Sequence, residues 1–101
     1  MKQTETLVWV VYDISEDRPR GKVAKLCKEA GIYRVQKSVF LGTIERNRLD
    51  ELSLAIDEHI DEGCDSVYIF PMCQPDFKKV ILKGQAFDRK LVTDEIRALL
   101  L

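Results

Sequence analysis

The chain has 101 residues, 46 % of them hydrophobic, and a formal net charge of −1. That length fits one small domain with a moderate core, which pairing with a second copy would help stabilise, and the apolar share excludes a disordered chain. Residues 1–6 are polar and the apolar run at 7–11 is too short for a signal core or a membrane span, so a cytoplasmic protein with no membrane partner is expected.

In chain order, residues 7–12 are apolar and rich in β-branched side chains, the pattern of a central strand covered on both faces. Asp13 closes that run. Ser15, Asp17 and Pro19 are helix-start residues. Val23, Leu26, Cys27 and Ala30 recur at helical spacing until Gly31 ends the helix, and the opposite face carries Arg18, Lys22, Lys25 and Lys28. Residues 32–41 form one bent strand or two short ones, interrupted at Lys37 and Ser38. A second helix is predicted over 43–62, with Leu49, Leu52, Ile56 and Ile60 as its apolar stripe and Gly63 at its end. Residues 67–70 make a further buried strand, stopped by Pro71. Pro75 marks a turn, Val80, Ile81 and Leu82 a short last strand, and residues 93–100 a short helix. This order predicts an α+β chain with two helices over one face of an antiparallel sheet, the ferredoxin-like plan, a plan that by itself names no function. Residues 1–84 form the domain and 85–101 a tail.

The near-neutral net charge conceals a division. Residues 17–48 hold nine bases and three acids, whereas residues 49–66 hold seven acids and no base. The first segment reads as a localised cationic face or as ordinary solvated helix surface. The second repels nucleic acid and faces solvent or a basic protein. Cys27, Cys64 and Cys73 are odd in number and form no CxxC pair, so they are expected to be buried free thiols. His59, the single histidine, has no cysteine near it in sequence, which argues against zinc.

Asp13 is the residue that most invites a chemical role. Burying a lone carboxylate costs several kcal/mol unless it is paired or binds a metal. The alternative is that it caps the following loop or helix. Magnesium takes one or two carboxylates together with waters and phosphate oxygens, so one aspartate from each of two copies related by a two-fold axis would suffice. Arg18, Arg20, Lys22 and Arg34 could neutralise phosphates nearby, and Ser38 could donate to a phosphate oxygen or serve a turn. Tyr12 and Phe40 are core residues or aromatic platforms for a base beside arginine. No base-reading pattern is visible, so binding would follow shape and charge. No histidine or second acid near Asp13 in sequence offers an obvious general base.

The run Val11-Tyr12-Asp13-Ile14, then Asp17-Arg18-Pro19-Arg20-Gly21-Lys22, then Tyr33-Arg34-Val35-Gln36-Lys37-Ser38-Val39-Phe40, and finally Val67-Tyr68-Ile69-Phe70, resembles the second core CRISPR-associated family. This is the small adaptation subunit also described as a CRISPR-associated endoribonuclease. The resemblance runs from about Leu7 to Leu82, with Leu41 standing where a polar or acidic residue is expected. It implies a ferredoxin-like βαββαβ homodimer in which Val80, Ile81 and Leu82 pair with the partner's sheet. It implies a magnesium site, or manganese in its place, held by Asp13 of both protomers and serving phosphodiester cleavage in duplex DNA or single-stranded RNA. It also implies a place between integrase dimers during spacer acquisition. The tail beyond Gly84 is amphipathic, with Phe87, Leu91, Ile96 and Leu99 apolar and Arg89, Lys90, Asp94 and Glu95 charged, so it is expected to dock the integrase or to pack on its own protomer. A non-catalytic scaffold bridging integrase dimers on DNA and a stand-alone toxin-like ribonuclease of the same fold are the other readings.

Overall fold

The structure, a computed structural model, describes residues 4–83. Its elements in chain order are β1 (Glu5–Asp13), α1 (Asp17–Glu29), β2 (Tyr33–Gln36), β3 (Val39–Glu45), α2 (Arg46–Asp57), β4 (Ser66–Met72) and α3 (Gln74–Lys78). The four strands form one sheet in the order β2-β3-β1-β4, every neighbouring pair antiparallel. This is the ferredoxin-like topology expected from the element order.

β1 lies inside the sheet between β3 and β4, and its alternating side chains feed two cores. Val8, Val10 and Tyr12 point to the helix face, where they meet Val23 and Cys27 of α1, Phe40 and Ile44 of β3, and Leu52 and Ile56 of α2. Leu7 and Trp9 point to the opposite face and pack with Val35, Val39, Leu41 and Phe77. The residue at 41 is therefore apolar because it is fully buried in this second core.

The second core depends on the segment after β4. Pro75, read above as a turn, sits at the start of the five-residue helix α3, where its fixed φ suits a first helical turn. That turn swings Phe77 under Trp9, with ring centroids 6.5 Å apart. The Trp9 indole N–H donates to Met72 Sδ at 3.4 Å. Complete burial of a phenylalanine contributes roughly 1.5–3 kcal/mol, so α3 belongs to the domain energetically as well as in sequence.

Several expectations change. The stretch 32–41 is two strands with the turn at Lys37 and Ser38, and β2 is bulged between Arg34 and Gln36. The second helix begins only at Arg46, because Ile44 and Glu45 continue the ladder opposite Thr6 and Glu5. It ends at Asp57, and residues 58–65 are mostly turn. β4 is an edge strand and not a buried one: Tyr68 and Phe70 are 53 % and 47 % exposed. That edge position lets the strand run through Pro71, which pairs with Val8, since an edge tolerates a residue without an N–H. Val80, Ile81 and Leu82 join no strand of their own chain; Val80 and Leu82 lean on the second core while Ile81 is 78 % exposed. Of the three cysteines only Cys27 is buried, because Cys64 falls in the turn before β4 and Cys73 stands at the N-cap of α3 just after it. The tail over 85–101, with its expected helix at 93–100, lies outside the described residues. Among those described, no helix is long and apolar enough to cross a membrane.

Candidate functional site at the end of strand β1

β1 delivers Asp13 to the sheet's end as its last residue, opposite Ser66 of β4. The carboxylate is exposed, and no hydrogen bond or ion pair from the described residues reaches it. The desolvation argument that first singled it out therefore does not apply within one chain. The capping alternative fails as well: the N-cap of α1 is Glu16, and no side chain caps that helix. Among the described residues, nothing pairs with Asp13 at its strand terminus.

Its neighbours are held firmly. The Tyr12 backbone N–H donates to the Ser38 carbonyl at 3.0 Å, and the Tyr12 hydroxyl donates to the Lys37 carbonyl at 3.3 Å. Arg34 donates to the same Lys37 carbonyl from Nε at 3.1 Å and from Nη2 at 2.7 Å. Its guanidinium lies 5.7 Å from the Phe40 ring centroid, and that ring stacks on Tyr12 at 6.3 Å. On the other side, Arg20 Nη1 donates to the Ile14 carbonyl at 3.2 Å, while Nη2 pairs with Asp17. The structure thus brings together Tyr12, Asp13, Arg20, Arg34, Ser38 and Phe40 through the end of β1, the β2–β3 turn and the first turn of α1.

These contacts divide the candidates. Tyr12 and Phe40 are 3 % and 0 % exposed, so their rings support the site from beneath and offer no face to a base. The Tyr12 hydroxyl is raised above its ordinary pKa by burial, against the lowering effect of Arg34, and it stays protonated as a donor. Arg20 and Arg34 are partly occupied by backbone carbonyls, whereas Arg18 and Lys22 on α1 are exposed and outside this network. Among the described residues no three His, Cys, Asp or Glu side chains converge. Among the described residues Asp13 is the one candidate carboxylate at this strand end, and magnesium or manganese would need further oxygen ligands beside it.

One residue was missed by sequence reasoning. Asp65, counted above in the acidic segment expected to face away, accepts hydrogen bonds from Ser15 just beyond Asp13. The cue available was its place next to Ser66, which the antiparallel ladder sets opposite Asp13.

Fold and site together define a small ferredoxin-like α+β protein whose central strand ends on an exposed aspartate, with Arg20 bonded to the carbonyl of the next residue and Arg34 to that of Lys37 in the β2–β3 turn. Residues 6–80 match the family described as CRISPR associated protein Cas2. The chain belongs to that family. It is 38 % identical over 65 residues to CRISPR-associated endoribonuclease Cas2 1 of Archaeoglobus fulgidus, covering 64 % of this chain and 69 % of that protein. It is 35 % identical over 71 residues to CRISPR-associated endoribonuclease Cas2 of Korarchaeum cryptofilum, covering 70 % and 76 % respectively. Among solved structures, a hypothetical protein from Thermus thermophilus superposes with a TM-score of 0.69 at 33 % identity, over 80 % of this chain and 93 % of that one. Streptococcus pyogenes Cas2 superposes with a TM-score of 0.64 at 30 % identity, over 77 % and 99 %.

Proposed function

We propose that this chain acts as a homodimer that holds nucleic acid during CRISPR adaptation, alongside the integrase, with Asp13 of each copy forming a magnesium-dependent phosphodiesterase site. The observation that carries the reading is Asp13 itself, an exposed and unpaired carboxylate at the end of an otherwise apolar central strand. A second copy would supply the second carboxylate. Magnesium held there would polarise the phosphodiester and lower the pKa of a bound water. Arg18 and Lys22 would take phosphates, with Arg20 and Arg34 adding positive charge at the strand end. Support comes also from the relatives named as endoribonucleases. Substrates under this reading are duplex DNA and single-stranded RNA.

The test compares purified wild type with Asp13→Asn on both substrates, with magnesium and with chelator. Cleavage by wild type alone, and only with metal, is expected. Equal cleavage by both proteins would remove Asp13 from the chemistry. A second reading, a scaffold that spans DNA between integrase dimers without cutting it, is favoured by the absence of a neutral base among the site residues named above. It predicts that both proteins bind DNA and neither cleaves.

A further inference from the structure

No described residue holds the Asp13 carboxylate, but the chain on either side of it is held. Toward α1, the Ile14 carbonyl is held by Arg20, and Ser15 is held by the far loop. The Ser15 N–H and hydroxyl donate to Asp65 Oδ1 at 3.2 and 3.4 Å, and the Asp61 N–H donates to Asp65 Oδ2 at 3.0 Å. The Cys64 thiol adds a weak donor at 3.6 Å. Asp61 in turn accepts the Gly63 N–H at 2.9 Å. Asp65 is thus the hub of the α2–β4 loop and the clasp between that loop and the β1–α1 loop. A solvated surface acid would show no such pattern: both its oxygens accept backbone N–H groups from two separate segments. Those bonds, from Asp61 first and then Ser15, hold its carboxyl below the usual carboxylate range.

We propose that Asp65 is the positioning residue of the Asp13 site. It fixes the course of the chain leaving β1, and with it the direction in which Asp13 presents its oxygens to a divalent cation. The proposal rests on the metal-ligand role of Asp13 put forward above. Its physical basis is that a lone ligand on a strand end has only its own backbone to orient it. Groups that orient metal ligands commonly contribute about 10- to 100-fold in affinity, and an exposed clasp belongs at the lower end of that range.

The test uses the full chain in five forms: wild type, Asp65→Ala, Asp65→Asn, Asp57→Ala and Asp13→Asn. Two quantities are read by amide NMR: hydrogen exchange at Ser15, and the manganese concentration that broadens signals around residue 13. Asp65→Ala should speed Ser15 exchange and raise that manganese concentration about tenfold, at the low end for an orienting group. Asp65→Asn keeps one oxygen for Ser15 and should fall between. Asp57→Ala removes the same charge from the same acidic segment without touching the clasp, and should leave both readings as in wild type. Faster Ser15 exchange with unchanged manganese binding in Asp65→Ala would overturn the proposal, leaving Asp65 a loop staple. Equal weakening by Asp57→Ala would also overturn it, as an effect of bulk charge. If Asp65→Ala melts out in circular dichroism, Asp65→Asn decides, and wild-type values in both readings would refute it. If manganese broadens nothing near residue 13 in wild type, or does so equally in Asp13→Asn, the metal reading fails and the positioning role with it. The Ser15 exchange rates would still report whether the clasp exists.

Discussion

A guanidinium that already holds a backbone carbonyl plays a different part from one that reaches freely into solvent, and the four candidate cations divide on that line. Arg20 fastens the Ile14 carbonyl and Arg34 the Lys37 carbonyl, whereas Arg18 and Lys22 sit outside that network on α1. Charge reversal at Arg18 and Lys22 should therefore weaken duplex binding without lowering the melting temperature. The loss should shrink as salt rises, since released counterions supply most of such binding. Arg20→Glu should do both, because it also cuts the bond to Ile14; fluorescence anisotropy across a salt series, set beside thermal melts, separates the two cases. The cysteines make a second residue-scale prediction. Burial pushes the Cys27 thiol up to about 12, so it has almost no thiolate at neutral pH. Cys64 and Cys73 are exposed, with Cys64 slowed by its own desolvation and by the carboxylates of Asp61 and Asp65. A thiol reagent should label two cysteines in the native protein and the third only after denaturation; three labelled natively would contradict the packing of α1. Asp13 was legible in the sequence because an acid closing an apolar run is conspicuous. Asp65 was not, because its meaning lies in Ser15, 50 residues away. The burial of Tyr12 and Phe40 was only half legible, since it depends on which face of the sheet carries the helices.

Among the elements, β3 shows why sequence periodicity misplaced a boundary. Thr43, Ile44 and Glu45 precede the helix-favouring stretch without a breaker, and only pairing with the start of β1 keeps them extended. The same strand contains Gly42, over which Ile32 passes so closely that a Cβ there would lie 3.0 Å from its Cγ2 and 3.1 Å from its Cα. Part of that contact is backbone, which cannot turn aside as a side-chain tip can. Gly42→Ala should cost about 1–3 kcal/mol, as overpacking in a close-packed core does, and a chain of this size should lose roughly 4–8 °C of melting temperature per kcal/mol. An unchanged melt would mean that the loop before β2 yields freely. The β1 and α1 assignments held because their patterns run long enough to be unambiguous. α3 escaped notice because a single turn after a proline carries no periodicity, and its worth comes from Trp9, which lies far upstream.

At the scale of the molecule, one side of the sheet is finished and the other is not. The helix face is closed by α1 and α2, but along β4 the stacked rings of Tyr68 and Phe70 stand half exposed, 6.1 Å apart, on a strand with one neighbour. Just downstream, Ile81 is exposed in a segment without regular structure that the sheet does not include. An open sheet edge and an exposed isoleucine just downstream of it are complementary needs. Reciprocal exchange about a two-fold axis would satisfy both in two copies at once. It would also give each protomer the partner that a sparse one-aspartate site requires. The prediction is that ending the chain after Lys79 yields a monomer by multi-angle light scattering where the full chain is a dimer. That boundary keeps Phe77 and the buried residues of the second core and removes only Val80 and Leu82 from its margin, so a folded monomer of somewhat lower melting temperature is the expected product. A cut before α3 would instead confuse loss of pairing with loss of core. Ile81→Asp, which leaves chain length unaltered, should shift the full chain in the same direction, since a charge buried in an exchanged strand has no partner. A truncated chain that remains a clean dimer would move the interface away from residues 80–82. In that case Tyr68 and Phe70 would need to be covered face to face rather than edge to edge, and Tyr68→Ser with Phe70→Ser should then be what releases the monomer.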